Sequence, residues 1–276
     1  MTRVRTAAAA VAVLLLGLIS GCTAGPASAP PSATPLTLPP AGAVPDYQLG
    51  GAYDPAPGVG IVARDRTDPP AAGVYSICYL NGFQTQPGEA DDWPEEVLLH
   101  RGGERVIDPD WPDEVLLDTS TAAAREQIVT MLAPWIAGCA ADGYAAVEFD
   151  NLDSYTRSGG ALSRDDNLAL ATLLVQTAHA QGLASAQKNA AEDAALLREQ
   201  AGFDFVVAEE CAAYGECAAY TEVYGDLVID IEYTDNLPRP FAEMCDDPDS
   251  PASLVLRDRE LTMRGDDAYV FETCGG

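Results

Sequence analysis

The stretch "YAAVEFDN", residues 144–151, decides the fold. It begins as an apolar, alternating strand and ends on Glu148, Asp150 and Asn151, with Asp153 two residues further on. Side chains alternate across a strand, so Glu148 and Asp150 share a side. Like charges packed together cost free energy. A strand that aims several carboxylates at one place therefore either opens into solvent or puts the crowding to use.

Working outward, the same grammar recurs between 46 and 233: a short apolar run, a polar or glycine ending, then a helical or loop segment. Strands are expected at 46–50, 59–65, 74–81, 114–119, 144–151, 183–189, 203–210 and 227–233. The segment 121–143 has helical spacing, although Pro134 predicts a kink or an early turn. Residues 163–182 open with Ser163 and Asp166 in a capping-box pattern and close at Gly182, and 191–202 also ends in glycine. Strands alternating with helices imply parallel pairing. Eight of them in this length suit a closed α/β fold, the (β/α)8 TIM barrel. An open doubly wound sheet is the alternative, weakened because no glycine-rich phosphate loop follows any strand. The tail, 234–276, reads as a last helix and a stapled end without chemistry.

The first 22 residues stand apart from the fold. A basic start at Arg3 and Arg5 precedes an apolar core and "ISGC", which resembles the lipobox of bacterial lipoprotein signals. Cys22 would then be the acylated first residue of the mature chain; an ordinary secretory signal is the alternative. Residues 23–45, rich in Pro, Ala and Ser, suit an extended linker. The expected domain is 46–276, exported, a monomer, and held on the outer face of the membrane by its lipid. Six further cysteines in an exported domain suggest disulfides: Cys211 with Cys217, Cys245 with Cys274, and Cys78 with Cys139. Fifteen pairings are open, so this one is a choice. A zinc site lacks support, with no CxxC and with His100 and His179 far from the cysteines in sequence. A net charge of −28 argues against nucleic acid as a partner and favours a cationic ligand.

The strand endings carry the chemistry. They are Asp118, Glu148–Asp150–Asn151, Lys188–Asn189, Glu209–Glu210 and Glu232–Tyr233, which in a parallel barrel meet at one rim. Position 80, at the end of "VYSICYLN", is counted with them. Lys188 is the one lysine of the chain; among carboxylates it keeps its charge and holds them in place. The alternative for each carboxylate is a helix cap or a solvated side chain. Paired carboxylates without a metal pattern or a Ser–His or Cys–His pattern point to glycoside cleavage: one acid protonates the leaving oxygen, and one carboxylate attacks the sugar or activates water. Crowding then serves to split their pKa values.

"AAVEFDNLDSY", "SAQKNA", "FDFVVAEECAAYGEC" and "IDIEY", with "DYQL", "SICYLNGF" and "DWPDEVLLD" upstream, resemble the endo-α-1,4-polygalactosaminidase family of glycoside hydrolases over about 46–235. The resemblance implies a (β/α)8 barrel that cuts α-1,4-linked galactosamine polymer without metal or other cofactor. It implies a catalytic pair of Asp150, nucleophile or base, and Glu209, acid, with Glu210 the other choice of the adjacent pair. Glu148, Asp153, Lys188, Asn189 and Glu232 would line the sugar subsites. The loop "YLNGFQTQPGEADDWP" departs from the family's commoner one. Trp93 and Trp111 could stack on sugar rings or simply pack in loops. Two other readings stand beside this one: a non-catalytic carbohydrate-binding lipoprotein on the same fold, and a barrel glycosidase of different sugar specificity.

Overall fold

The computed structural model describes residue 2 and residues 35–274. The signal segment with Cys22 and the linker as far as residue 34 lie outside the described residues. The folded part begins before residue 46, the expected boundary. Leu36 packs against the apolar barrel interior, the Tyr75 hydroxyl donates to the Thr37 carbonyl at 2.9 Å, and Val44 already belongs to the first strand.

Eight parallel strands follow one another in sheet order: β1 (Val44–Gln48), β2 (Val59–Asp65), β3 (Tyr75–Asn81), β4 (Ala146–Asp150), β5 (Ala184–Lys188), β6 (Phe205–Glu209), β7 (Val228–Tyr233) and β8 (Ser253–Arg257). A short β9 (Phe271–Thr273) pairs antiparallel with β8. The barrel fold is as expected, but one strand is not where it was expected. Residues 114–119 make only isolated bridges, such as Leu98 with Leu117 and Gln84 with Leu116. The reason is that β3 pairs directly with β4, Asn81 opposite Asp150, leaving no edge between them. The eighth stave comes instead from the tail, where β8 adds to β7 with Arg257 opposite Tyr233.

Between β8 and β1 side chains do the joining. The Arg257 guanidinium, wholly buried, ion-pairs Asp46 at 2.9 Å and donates to the carbonyls of Tyr47, Thr262 and Val270. Asp46 also accepts from Gln48 and Tyr53, and Gln48 accepts from Arg64. A buried charge is tolerable only when paired and hydrogen-bonded on all sides, and this network meets that condition.

Alternation along the strands sorts the core into two layers. Tyr47, Ile61, Ala63, Ile77, Ala186, Val207 and Ile231 fill the barrel. Cys78, Leu80, Val147, Phe149 and Val206 face outward under the helices. Helix α1 (Ala122–Asp142) starts at Thr121, whose hydroxyl accepts from the Ala124 N–H, and stops at Gly143 with φ +97°. Pro134 lies inside this helix, so of the two expected outcomes the early turn does not occur. Helix α2 (Arg164–Ala180) carries the expected Ser163/Asp166 capping box. The disulfides Cys78–Cys139, Cys211–Cys217 and Cys245–Cys274 all form, the first pinning β3 to α1.

Candidate active site

At the C-terminal rim the inward positions of β3, β4, β5, β6 and β7 converge on one ammonium group. Lys188 Nζ lies 3.3 Å from Asp150 Oδ2, 3.1 Å from Glu209 Oε2 and 3.7 Å from Glu148 Oε1. Each carboxylate is steadied by a tyrosine from another strand. Tyr79 donates to Asp150 Oδ2 at 2.7 Å, Tyr233 donates to Glu209 Oε1, and Tyr47 donates to Glu148 Oε1 at 2.6 Å while accepting from Lys188. Asn189 fixes Glu209 twice: its Oδ1 accepts the Glu209 N–H at 2.8 Å, and its Nδ2 donates to Oε2 at 3.3 Å.

The backbone is bent to suit. Asn151, Asn189, Ala190 and Glu210, the residues just past β4, β5 and β6, all have φ between 49° and 63°. Asparagine tolerates this region and alanine or glutamate does not readily. Such strain persists where surrounding contacts over-determine it, commonly at working sites. Here it turns the Asn151 N–H back onto Asp150 Oδ1 at 2.7 Å.

The electrostatics divide the carboxylates. Burial pushes Asp150 up, but the Lys188 charge and the hydrogen bonds from Tyr79 and the Asn151 N–H outweigh it, and its pKa lies below the ordinary aspartate value. Glu148, one layer deeper, is fully buried; burial, only partly opposed by Lys188 and Tyr47, pushes it up to about 7. Lys188 is also buried, yet Asp150, Glu209 and Glu148 together hold its pKa above the usual lysine value. It therefore carries its charge at neutral pH. One cation thus holds Asp150 ionised while Glu148 beneath it takes up a proton near neutrality.

These groups open into a cleft of about 540 Å³, whose walls include Asp150, Asn151, Asp153, Lys188, Asn189, Glu209 and Tyr233. Several expected rim residues lie elsewhere. Glu148 is sealed below the cleft floor. Glu210 turns outward, holding Arg259 in a bidentate pair at 2.8 and 2.9 Å. Glu232 faces the helical layer, accepting from the Ala212 N–H at 2.8 Å beside buried Asp230. Asp118 caps its own loop through the Ser120 N–H, since its segment is not a stave. Position 80 is Leu80, an outward core residue; the period of two gives the rim to Tyr79. Trp93 stacks edge-on against Trp135 in the core, whereas Trp111 stands exposed on the cleft wall.

Tyr47, Tyr79, Glu114, Arg157 and Arg259 were not singled out from the sequence. The tyrosines pass for ordinary strand residues, although the period of two that placed Asp150 inward also places Tyr79 opposite it. Arg259 sits in the tail, whose sequence carries no catalytic pattern. Arg157 clamps Asp153, Asp108 and the Asn151 side chain. Among the described residues the grouping with metal-ligand spacing is Cys211, Cys217 and Asp230, and its two sulfurs are joined to each other. The rim carboxylates have Lys188 where a metal would have to sit.

Two carboxylates facing each other across a polar cleft at a barrel's C-terminal mouth have the parts for glycoside cleavage. A family model, described as glycoside-hydrolase family GH114, matches residues 25–276. The chain belongs to this family. As a GH114 member it is a glycoside hydrolase, and the strand endings read from its sequence fall within the matched region. Among solved structures it is similar to Ega3 of Aspergillus fumigatus, determined in complex with galactosamine: 23% identity, TM-score 0.67, covering 84% of this chain and 97% of that one. It is also similar to the glycoside hydrolase domain of PelA from Pseudomonas aeruginosa: 16% identity, TM-score 0.57, covering 81% of this chain and 97% of that one. At these identities the likeness shows the shared barrel. No curated protein matches the chain.

Proposed function

We propose that this GH114 protein cleaves α-1,4-linked galactosamine-containing polysaccharide, with Asp150 as nucleophile and Glu209 as proton donor and then base. The observation that carries the assignment is the shared lysine. One oxygen of each carboxylate lies within 3.3 and 3.1 Å of the same nitrogen, so these two nearer oxygens stand at most about 6.4 Å apart and the groups form a close pair. Inverting pairs stand about 6.5–9.5 Å apart to admit a water, and retaining pairs about 5–5.5 Å. We read so close a pair as a retaining one, working through a glycosyl–Asp150 intermediate that water resolves. Asp150 has the lowered pKa that a nucleophile needs. Glu209, held by Tyr233 and Asn189, would protonate the leaving oxygen.

The galactosamine reading draws on the ligand of Ega3 and on the acidity of the chain. Protonated amines are attracted to a cleft rich in carboxylates, and a net charge of −28 raises their local concentration. We further propose that the protein is exported, works as a monomer and is tethered through a lipid on Cys22, on the strength of the lipobox-like "ISGC" and the proline-rich segment after it.

The test is release of short oligomers from partly deacetylated α-1,4-galactosamine polymer by the purified protein, beside Asp150→Asn and Glu209→Gln. Oligomers from wild type and none from either variant are expected, with the α-configuration kept in the first product seen by NMR. First-formed β-product would refute the retaining assignment. Binding without any cleavage by wild type would leave a capture protein on a hydrolase barrel.

A further inference from the structure

One wall of the cleft holds a carboxyl group that the chemistry above does not use. Glu114 follows Trp111 in a turn closed by the Glu114 N–H donating to the Trp111 carbonyl at 2.9 Å. Both side chains belong to the cleft wall. They differ in setting. Trp111 is 58% exposed, an unusual degree for an indole, whereas Glu114 is only 8% exposed.

Glu114 is held from behind by one oxygen. Its Oε2 accepts from Asn81 Nδ2 at 2.8 Å and Gln84 Nε2 at 2.5 Å. Its Oε1 has no hydrogen-bond partner among the described residues, and no described lysine, arginine or histidine pairs with it. Glu114 lines the cleft, and its Oε1, which accepts from no described side chain and has no cation beside it, keeps its hydrogen-bonding capacity free for a ligand. The neighbouring charges do not relieve it. Asp65, also on this wall, is satisfied by Thr67 and Gln86 and adds a second negative charge. Arg157 is already taken up by Asp108 and Asp153. At the opposite wall Arg259 balances Glu210 and Asp235.

We propose that Glu114 and Trp111 form a subsite for a protonated amino sugar beside the scissile position, Glu114 Oε1 accepting from the ammonium and Trp111 covering the apolar face of the ring. A compact ammonium can donate to Oε1 and satisfy the charge together. An acetamido group is neutral and bulkier, with one N–H to give, so this position discriminates by acetylation state. Aromatic platforms and charge-assisted hydrogen bonds supply separate parts of the recognition, shape from Trp111 and charge from Glu114. The subsite rests on the amino-polysaccharide reading above and narrows it to a pattern: deacetylated sugar on the β3 side of the cleavage point.

Binding, read apart from turnover, tests this. In the Asp150→Asn background, calorimetry compares α-1,4-galactosamine oligomers with their fully N-acetylated counterparts, with and without Glu114→Gln. The amide preserves shape and can still meet Asn81 and Gln84, so folding is checked by an unchanged thermal midpoint. Glu114→Gln is expected to weaken binding of the deacetylated oligomer about tenfold or more, leave the acetylated one unchanged, and so erase the preference. Trp111→Ala, on an exposed side chain, should weaken both oligomers alike. A preference for the deacetylated oligomer that survives Glu114→Gln overturns the subsite and leaves the proposed function standing. Failure of the parent protein to bind or cleave either oligomer overturns the functional reading and the subsite with it. A loss of kcat in Glu114→Gln on an intact Asp150 background, with the binding preference kept, would reassign Glu114 to holding Asn81 in place.

Discussion

Replacing Lys188 with methionine removes a buried ammonium from between three carboxyl groups while keeping most of the volume of its stem. The charge lies 3.3 Å from Asp150. At that distance Coulomb's law gives about 5 kcal/mol for an effective dielectric of 20 and about 1.3 kcal/mol for water. At 1.36 kcal/mol per pKa unit, Asp150 should therefore rise by between about one unit and almost four. The burial that pushes Asp150 up remains when its counterweight has gone, so the upper part of that range is favoured. On the proposed assignment Asp150 is the nucleophile and must be ionised, so activity rises as pH climbs through its pKa, and raising that pKa moves the acid limb to higher pH. The assay is kcat/KM against pH for wild type and Lys188→Met, because that ratio reports the free enzyme. Breaking a buried pair by removing one partner also costs about 3–5 kcal/mol. For a domain of this size that is a fall of roughly 6–20 °C in Tm, smaller at acid pH, where the orphaned carboxylates can protonate. An acid limb unmoved in Lys188→Met, with the fold intact, would refute the assignment of Lys188 as the group that keeps Asp150 ionised.

Three further outcomes follow from the same contacts. Tyr233→Phe deletes the hydroxyl that donates to Glu209, so kcat should fall about ten- to a hundredfold with KM little changed; steady-state kinetics showing the reverse split would place Tyr233 in substrate binding. Glu148 is pushed from 4.5 to about 7, so the folded state holds its proton more tightly than the unfolded chain, and wild-type stability is lost as pH rises from about 4.5 through 7. In Glu148→Gln that decline should shrink by at most about 3 kcal/mol, measured by urea unfolding at pH about 5 and about 8; parallel declines in the two proteins would show the proton to be held elsewhere. The Cys78–Cys139 bond closes a loop with a sequence separation of 61, so the Cys78→Ala/Cys139→Ala protein should lose about 4 kcal/mol on the chain-entropy model, visible as a drop of roughly 10 °C in a calorimetric scan.

How far the sequence could be read depended on the range of the interaction behind each feature. The alternation in "AVEFD" places Asp150 inward because a strand's period is fixed by local geometry, and the same rule would have given Tyr79 the place assigned to position 80. The Ser163/Asp166 capping box is equally local, and it formed as expected. The segment 114–119 shows the limit of such reading. It has the pattern of a stave, but whether a strand joins a barrel depends on a free neighbouring edge, and β3 and β4 had already taken each other's. The true eighth stave, "SLVLR", looked like part of an inert tail until β7 offered its edge.

Sequence alone determined that carboxylates crowd the strand ends, that one lysine stands among them, and that the helices between call for a parallel barrel. It also supplied pairable cysteines. Only the tertiary structure decided which carboxylates face the cleft. Glu148 and Asp150 share a side of one strand, yet one is sealed and near half-protonated at neutral pH and the other is ionised at the surface of the site. Adjacent Glu209 and Glu210 point to Lys188 and to Arg259 respectively. The physical reason is that a carboxyl group's role follows from its solvation and its nearest charge, and both are set by residues distant in sequence: Tyr47 is 101 positions from Glu148, Lys188 is 38 from Asp150 and Arg259 is 49 from Glu210.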